Sequence, residues 1–290
     1  MKLGVVILNW NGKELLEKFI PSLLKYTPKE HSLYLVDNGS NDLSTEFIKN
    51  TFSDFKIIQL DKNYGFSKGY NLGLSEVEEE IICLLNNDVE VTANWTESIL
   101  KQFKIESNTA VIQPKMLNYN NKSYFDYAGA AGGYLDKYGY PYCRGRVYDK
   151  IEKDNSQYDK ENSDIFWACG ACFFIRNSVF KEMNGFDELF WAHMEEIDLC
   201  WRIKNKGFSI KYNSNSIVYH VNAATINNDN PEKTFLNFRN KLFMLSKNSR
   251  GNLFFLMFQT LIIDIIVSIF YLFNKGFKHF SAIIKAYLSF

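Results

Sequence analysis

The fold is decided by the first apolar run of the chain, residues 3–12, which read LGVVILNWNG. Leu3–Leu8 is short and continuously apolar, as is typical of a strand buried on both faces, and a polar turn ends it. The segment Lys13–Tyr26 then repeats apolar residues at helical spacing, and Pro28 follows it. A buried strand followed at once by an amphipathic helix predicts the first half of a parallel β–α–β unit.

The same alternation continues as far as residue 88. Strands are predicted at 32–36, 56–60 and 80–85, and helices at 43–52 and just after the polar loop 61–70. Strands that alternate with helices predict a mostly parallel sheet with right-handed crossovers. Ligands of such sheets bind outside the carboxyl ends of the strands.

Polar residues follow all of these strands, at the edge where a ligand is expected. They are Asn9, Asn11, Asp37, Asn38, Asn63, Asn86 and Asp88. Asn and Asp also favour turns, so each of them alone could be a turn former. Because the carboxyl ends of parallel strands share one edge, the set as a whole predicts a polar site there.

The second half of the chain is less regular. Residues 118–163 are rich in Tyr, Gly and Lys and lack periodicity, so we expect an insertion or a lid over the sheet edge. A strand at 164–176, helices at 177–184 and 194–206, and strands within 208–221 are predicted after it.

The tripeptide Asn86-Asn87-Asp88 ends the fourth predicted strand. A carboxylate beside other oxygen ligands suits Mg²⁺ or Mn²⁺, and such a cation would screen a diphosphate leaving group. An Asx turn is the alternative for this tripeptide. His220 follows a strand predicted at 216–219, and it is either structural or a second metal ligand beside Asp88.

Three acidic residues, Glu195, Glu196 and Asp198, open the helix predicted at 194–206. Glu195 and Asp198 share one helical face, and Glu196 points about 100° away. Acidic residues in a first turn also favour the helix dipole, which is the alternative explanation. The apolar residues just before them, within 190–194, could desolvate a carboxylate and raise its pKa, as a general base needs.

Composition narrows the classes of function. The 290 residues contain 33 basic and 33 acidic side chains, and this zero net charge argues against a general nucleic-acid binder. The five cysteines are spread out and indicate a reducing compartment. Cys169 and Cys172 form a C-x-x-C inside an apolar run, so we interpret them as packing residues. No G-x-G-x-x-G follows the first strand, which disfavours a dinucleotide-dependent dehydrogenase.

The charge is unevenly distributed. Residues 231–290 carry eight basic and two acidic side chains, a net charge of +6, which leaves −6 on residues 1–230. We therefore divide the chain there, into a domain over 1–230 and basic, apolar C-terminal helices over 231–290.

The segment Leu253–Phe273 is long enough as a helix, at about 1.5 Å per residue, to cross a bilayer. Inserting Asp264 at the centre of a bilayer would cost about 2.5–3.5 kcal/mol of free energy. Together with Thr260 and Ser268, Asp264 forms a narrow polar stripe along this helix. Residues 277–290 form a second amphipathic helix. Flanking basic residues favour an interfacial membrane anchor. There are two alternatives. The helices could pack on the catalytic domain or on a dimer partner, or the first of them could span the membrane.

Several segments together resemble the family-2 glycosyltransferases, in their rhamnosyltransferase-like branch. The segments are VVILNWNG (5–12), VDNGSND (36–42), NYGFSKGYNLG (63–73), LLNNDV (84–89), GACFFIR (170–176), GFDE (185–188) and EEIDLCWR (195–202). Each is weak alone, but their order and spacing over residues 3–221 are specific. The resemblance implies an α/β, Rossmann-like GT-A fold of nucleotide-diphospho-sugar transferases, with a mostly parallel central sheet and added C-terminal amphipathic helices.

The resemblance also implies roles for single residues. Asp37 would bind the nucleotide base or ribose, and loop 63–73 would wrap the nucleoside and diphosphate. The implied nucleotide-binding set is Asn9, Asn11, Asp37, Asn38, Asn63, Gly65, Phe66, Asn71, Asn86 and Asn87.

Metal and catalytic roles follow from the same resemblance. Asn86-Asn87-Asp88 is similar to a D-x-D motif whose first Asp is replaced, so Asp88 would be the main metal ligand and His220 a second one. Glu195-Glu196 stands where the family has Glu-Asp, whose second residue is the base, and this points to Glu196 with Glu195 as the alternative. Asp198, grouped with these two, and Trp167, Gly170 and Arg202 would orient the acceptor or brace the structure.

The implied function is inverting, metal-dependent transfer of a sugar, such as rhamnose, from a dTDP- or UDP-sugar to a saccharide hydroxyl. The acceptor would be lipid-linked, the pathway would build a cell-surface polysaccharide, and the enzyme would lie on the cytoplasmic face of the cell membrane, with a homodimer possible. A sugar-nucleotide pyrophosphorylase and a non-catalytic binding scaffold are the alternatives. A pyrophosphorylase would carry a Gly-rich, basic loop after the first strand, and this sequence lacks it. A scaffold would have a broken acidic pair or metal motif, and both are present here in altered form.

Overall fold

The computed structural model describes residues 1–147, 150–159, 163–221 and 230–290. Within them, nine strands form one mixed sheet in the order β11-β13-β6-β12-β4-β1-β2-β3, with β5 paired to β13. The strands are β1 (Leu3–Asn9), β2 (Ser32–Asp37), β3 (Phe55–Gln59), β4 (Ile81–Asn86), β5 (Val89–Val91), β6 (Thr109–Asn118), β11 (Ser163–Asp164), β12 (Cys172–Arg176) and β13 (Ser209–His220). A second, four-stranded sheet consists of β7 (Gly133–Leu135), β8 (Pro141–Cys143), β9 (Arg146–Val147) and β10 (Lys150–Ile151).

Helices cover the main sheet and complete the C-terminal part of the chain. They are α1 (Lys13–Tyr26), α2 (Ser44–Thr51), α3 (Gly65–Leu74), α4 (Glu97–Ile105), α5 (Asn177–Glu182), α6 (Glu195–Asn205), α7 (Pro231–Asn248), α8 (Leu253–Asn274) and α9 (Phe277–Ser289).

The N-terminal half of the sheet is parallel, as the alternating pattern predicts. β1 pairs in parallel with both β4 and β2, and β2 pairs in parallel with β3. Val5 aligns with Cys83 on one side and Leu33 on the other, and all three side chains are buried. Helices on the sheet bury both faces of β1, which explains its continuous apolar run. The carboxyl ends of β4, β1 and β2 therefore lie side by side.

The predicted strand at 164–176 is wrong over most of its length. The chain forms the short β11, then irregular backbone and a turn closed by Cys172 N–H donating to Cys169 O, and only then β12. The whole run is apolar because it is buried, and burial without regular periodicity does not distinguish a strand from a packed loop. β12 inserts antiparallel between β4 and β6, which makes the sheet mixed.

The predicted C-terminal helices are present, and the polar stripe of α8 faces the protein. Thr260, Asp264 and Ser268 are all buried, whereas the apolar side chains around them are largely exposed. By length and composition α8 could cross a membrane. α7 joins these helices to the rest of the chain, because Asn240 and Asn248 bond to the segments before and within α6.

Candidate active site

The polar residues at the ends of β1, β2 and β4 meet around Asn9. Its buried Nδ2 donates to Ser44 Oγ at 3.0 Å and lies 3.4 Å from Asp37 Oδ1, and its Oδ1 accepts from Asn87 Nδ2 at 2.9 Å. Asn11, at φ 49°, accepts a bond from Asn41 N–H and stays exposed at the same edge. The predicted convergence of strand-end side chains is thus present in the structure.

Asp37 is fully buried at this edge. Its Oδ2 accepts a bond from Ser40 N–H at 3.0 Å and another from Gln59 Nε2 at 2.5 Å. Gln59 ends β3 and was not singled out by the sequence, although its position at the end of the fourth neighbouring strand was a usable signal. These two bonds fix the orientation of the Asp37 carboxylate at the end of β2.

Asn38 clamps the loop that begins α3. Its Nδ2 donates to Asn63 Oδ1 and to Gly65 O, and its Oδ1 accepts from Tyr64 N–H. Gly65 needs to be glycine, because its φ is +77° and an added Cβ would lie 2.7 Å from the Trp191 ring. The loop therefore packs closely against the segment that leads into α6, as Phe66 N–H donating to Trp191 O also shows.

Asn71 has a different environment from the one that the resemblance implies. Its Nδ2 donates to Phe186 O at 2.8 Å and its Oδ1 accepts from Phe186 N–H at 2.9 Å. Both ends of this amide are thus occupied in bracing α3 against Gly185–Phe186. Phe66, one turn earlier, packs edge-on against Tyr70 and Phe186.

Asp88 and His220 are adjacent, and a third residue, Asp126, completes the group. His220 Nε2 lies 3.2 Å from Asp88 Oδ1, and His220 Nδ1 lies 3.1 Å from Asp126 Oδ2. All three side chains are buried. Burial alone would lower the pKa of His220, but the carboxylates of Asp126 and Asp88 outweigh it and raise the pKa to about 10. A carboxylate behind a metal-ligating histidine is the usual arrangement that fixes its tautomer.

The neighbouring acids Glu195 and Glu196 differ in environment. Glu195 is buried and its Oε2 has no hydrogen-bond partner among the described residues, so burial, and then the charge of Glu196, raise its pKa well above the usual range. Glu196 is partly exposed, its Oε2 is likewise unpartnered in the described chain, and burial raises its pKa to about 7. Gly170 lies against it, since a Cβ at Gly170 would be 3.8 Å from Glu196 Oε1 and 3.4 Å from Phe66 Cζ.

The backbone just before these acids is strained. His193 and Met194 both have positive φ, 70° and 71°, which non-glycine residues rarely adopt. Asn240 of α7 stabilises this conformation, because its Nδ2 donates to Ala192 O at 2.9 Å and to His193 O at 2.7 Å. Strain that is retained by specific contacts from elsewhere is a feature of functional sites.

Asp198 and Arg202 lie in a buried network rather than at the open site. Asp198 accepts bonds from Arg202 Nε at 2.8 Å and from Asn248 Nδ2 at 2.7 Å, and Lys247 Nζ lies 3.2 Å away. The other guanidinium nitrogens of Arg202 donate to the carbonyls of Met183 and Gly185. Through these contacts Asp198 braces α6 against α7.

Trp167 also has a structural position. Its indole Nε1 donates to Tyr134 O at 2.7 Å, and its ring occupies the space above Gly133. Neither contact involves the open edge of the main sheet.

One backbone bond joins the two halves of the site. Asn86 N–H, at the end of β4, donates to Ala171 O at 2.9 Å, and the preceding residue, Gly170, is the one that lies against Glu196 and Phe66. The end of β4 and Glu196 are therefore linked through the backbone of Gly170 and Ala171.

Comparison with known proteins gives this site a context. A sequence model of the family described as "Glycosyl transferase family 2" matches residues 4–183. Over 215 residues the chain is 25% identical to the low-salt glycan biosynthesis hexosyltransferase Agl10 of Haloferax volcanii, covering 72% of this chain and 63% of that protein. It is 21% identical over 242 residues to the N-acetylglucosaminyl-diphospho-decaprenol L-rhamnosyltransferase of Mycobacterium tuberculosis, covering 78% of each.

Similar structures have been solved. GalNAc-T7 with UDP, GalNAc and Mn²⁺ matches 76% of this chain and 43% of its own, with a TM-score of 0.62 and 19% identity. The mannosyltransferase PcManGT of Pyrobaculum calidifontis, solved with GDP-Man and Mn²⁺, matches 99% of this chain and 74% of its own, with a TM-score of 0.59 and 11% identity. These likenesses confirm the predicted GT-A fold.

Proposed function

Because the chain belongs to glycosyl transferase family 2, in the branch that contains rhamnosyltransferases, we propose that it moves a sugar from a nucleoside diphosphate to a saccharide hydroxyl with inversion at the anomeric carbon. The observation that carries this proposal is the placement of Glu196. This partly exposed carboxylate has a pKa of about 7, and it lies against Gly170, next to the Ala171 carbonyl that bonds to the end of β4.

The donor site in this proposal is the edge formed by β1, β2 and β4. Asp37 binds the base or ribose. Asn9 bonds to Ser44 and to Asn87, and these bonds fix the ends of β1 and β4 and the start of α2 relative to one another. Solved structures of this fold hold UDP or GDP-Man, so the fold alone does not select the nucleotide, and we propose the dTDP- or UDP-sugars that the family resemblance implies.

The residues present fit a divalent cation. Within the described residues no cluster of three or more His, Cys, Asp or Glu side chains is arranged to hold a metal ion by itself. Asp88 offers one carboxylate oxygen, and His220 would offer one imidazole nitrogen once a bound cation displaces its proton. Mg²⁺ or Mn²⁺ commonly completes its shell with water and substrate phosphates. When bound, the ion supplies positive charge to the departing diphosphate.

In the reaction that we propose, the carboxylate of Glu196 accepts the proton of the acceptor hydroxyl. The acceptor oxygen then forms its bond to the anomeric carbon as the bond to the diphosphate oxygen breaks, and the nucleoside diphosphate leaves from the opposite face. The neighbouring Glu195 is buried, and burial and then the charge of Glu196 raise its pKa, which favours its neutral form.

The acceptor side and the cellular setting follow from weaker observations. All five cysteines are unpaired, which suits the cytoplasm. The relatives include a rhamnosyltransferase named for a diphospho-decaprenol acceptor and an O-antigen biosynthesis protein, so a lipid-linked saccharide of a surface polysaccharide is the acceptor class that we propose. We propose that residues 1–230 form the catalytic domain.

Replacing Asp88 tests the proposed function directly. Asp88→Ala is expected to lower donor hydrolysis and transfer by at least about 10²-fold, because the diphosphate loses its main stabilising group. The measurement is release of nucleoside diphosphate from a panel of dTDP- and UDP-sugars, with Mn²⁺ and with chelator. Asp164→Asn, at an exposed ion pair with Lys211, is the matched control and should keep full activity. Normal turnover in Asp88→Ala would refute the assignment.

Asp126, which the sequence did not single out, is expected to act through His220. Asp126→Asn keeps a hydrogen-bond acceptor for Nδ1 but removes the charge, so Mn²⁺ affinity in the presence of nucleoside diphosphate should fall by about 10–100-fold. The readout is free Mn²⁺ measured by electron paramagnetic resonance, which does not depend on turnover. Unchanged Mn²⁺ affinity would leave Asp126 with a purely structural role.

A further inference from the structure

α8 presents an unusual surface, because its apolar residues face outward. Its polar stripe is buried against the protein, and eleven large apolar side chains are at least 38% exposed. They are Leu253, Phe254, Phe255, Phe258, Leu261, Ile262, Ile265, Ile266, Ile269, Phe270 and Phe273. We call this set the outer face of α8. Soluble monomers rarely expose a continuous apolar patch above a few hundred Å², and larger patches mark interaction sites.

Asp264 fixes this orientation. Its carboxylate pairs with Lys241 Nζ of α7 at 2.5 Å, and it accepts hydrogen bonds from the hydroxyls of Tyr287 on α9 and Tyr140 in the β7–β8 hairpin. Lys241 and Asp264 are both buried. If α8 left the protein to cross a bilayer, this hub would have to break and leave Lys241 without its counter-charge. The helix is therefore built to stay against α7 and α9 with its outer face free.

The exposed charged side chains of the segment that carries the outer face all have one sign. Residues 250–290 are described completely, and their exposed charged side chains are Arg250, Lys275, Lys278 and Lys285. Asp264, the acid of this stretch, is buried in the hub. Arg250 precedes the N-terminus of α8 and the lysines follow its C-terminus, so cations flank the apolar surface at both ends.

We propose that the outer face of α8 docks on a lipid bilayer that contains anionic head groups, with the helix lying in the interface and not across it. A bilayer satisfies both features, since acyl chains cover the aromatic and aliphatic side chains while head-group phosphates pair with the flanking cations. A second copy of the chain would cover the apolar side chains but would not neutralise the flanking cations. Two α8 helices paired about a two-fold axis would bring Arg250 of one copy towards the lysines of the other.

Docking in this way also concerns the active site, because α7 connects the two surfaces. Lys241 bonds to Asp264 of α8, while its neighbour Asn240 holds the carbonyls of Ala192 and His193 that precede Glu195. The helix that anchors the docking surface therefore also supports the strained backbone in front of the proposed base. The inference about lipid does not depend on the proposed reaction.

Flotation of the full chain with vesicles tests the proposal without donor or acceptor. Binding to phosphatidylcholine vesicles that contain phosphatidylglycerol is expected to exceed binding to phosphatidylcholine alone by at least about tenfold, and added salt should reduce it. Phe258→Glu with Ile266→Glu should abolish binding while circular dichroism is unchanged, because both side chains are exposed. Ile105→Glu, a still more exposed apolar position on α4, is the matched control and should bind normally.

A fluorescent label distinguishes the occupants and the poses. Because the five native cysteines are buried, an environment-sensitive dye on Ile266→Cys should label selectively. Its emission should shift to the blue with anionic vesicles, while the same dye on Ile105→Cys should not respond. Release of the bound protein by alkaline carbonate is expected for the interfacial pose, and retention would instead show a span. A blue shift that depends on protein concentration without vesicles, or no vesicle binding at all, would overturn the proposal.

Discussion

Glu196→Gln is expected to lower the rate of sugar transfer by about 10²–10⁴-fold while donor binding stays unchanged, because the amide cannot accept the acceptor's proton. The substitution keeps the size of the side chain beside Gly170 and Phe66. Stability should not fall, since burial disfavours the carboxylate that the substitution removes, as its raised pKa shows. Single-turnover kinetics with a fixed donor and a titration of nucleoside diphosphate separate the two effects.

Glu195→Gln is the matched control for this experiment. Burial, and then the charge of Glu196, raise the pKa of the buried Glu195 well above the usual range, which favours the neutral form that glutamine imitates. Its substitution should change transfer by less than about tenfold, because no proton-accepting group is lost. Loss of activity in Glu195→Gln with retention in Glu196→Gln would reverse the assignment of the base.

The pH dependence carries the same information with a definite sign. A general base works only when deprotonated, so transfer should rise with pH and level off above a pKa of about 7. The residual activity of Glu196→Gln should not show this rise with pH. A wild-type profile that is flat between acidic and neutral pH would show that another group accepts the proton.

The strand-end cluster could be predicted from sequence because parallel strands place their carboxyl ends at one edge. Asn9 and Asp37 needed only a parallel sheet, which the alternation of strands and helices implies. Their exact partners did not follow, since Gln59 and Ser44 come from separate elements. Local periodicity determines which element a residue ends, and it does not determine which side chains meet.

Asp126 illustrates what local patterns leave out. It lies in irregular backbone between β6 and β7, and its bond to Ala128 N–H is an ordinary turn contact. Its contact with His220 spans 94 positions of the chain. The position of Asp198 was equally hidden, because the shared helical face with Glu195 was correct but its burial under α7 depends on Asn248 and Lys247.

The direction of the polar stripe on α8 could not be read from the sequence either. Thr260, Asp264 and Ser268 at i, i+4 spacing fit a helix that turns the stripe towards water as well as one that turns it towards protein. The structure settles this through Lys241 and two tyrosines from other elements. A buried ion pair of this kind gives the sharpest stability prediction for the chain.

Asp264→Asn is expected to lower the free energy of unfolding by about 3–5 kcal/mol, because it leaves the ammonium of Lys241 buried without a counter-charge. The ring centroids of Tyr140 and Phe238 lie 3.8 and 4.9 Å from Lys241 Nζ, but aromatic rings cannot replace a full negative charge. Adding Lys241→Met should recover most of the loss, since the amide still accepts a tyrosine hydrogen bond and no buried cation remains. Urea unfolding followed by circular dichroism measures all three proteins, with exposed Asp164→Asn as the control.

The pH dependence of this loss distinguishes a buried charge from a simple packing defect. Burial already lowers the pKa of Lys241, and removal of the Asp264 charge should lower it further. The folded variant then binds fewer protons than the unfolded chain, so its stability should rise with pH and the deficit should shrink in alkaline solution. A packing defect would give a deficit independent of pH, and Lys241→Met would not reduce it. A deficit below about 1 kcal/mol at neutral pH would place this pair among weak surface ion pairs. The hub would then not be what holds the outer face of α8 outward.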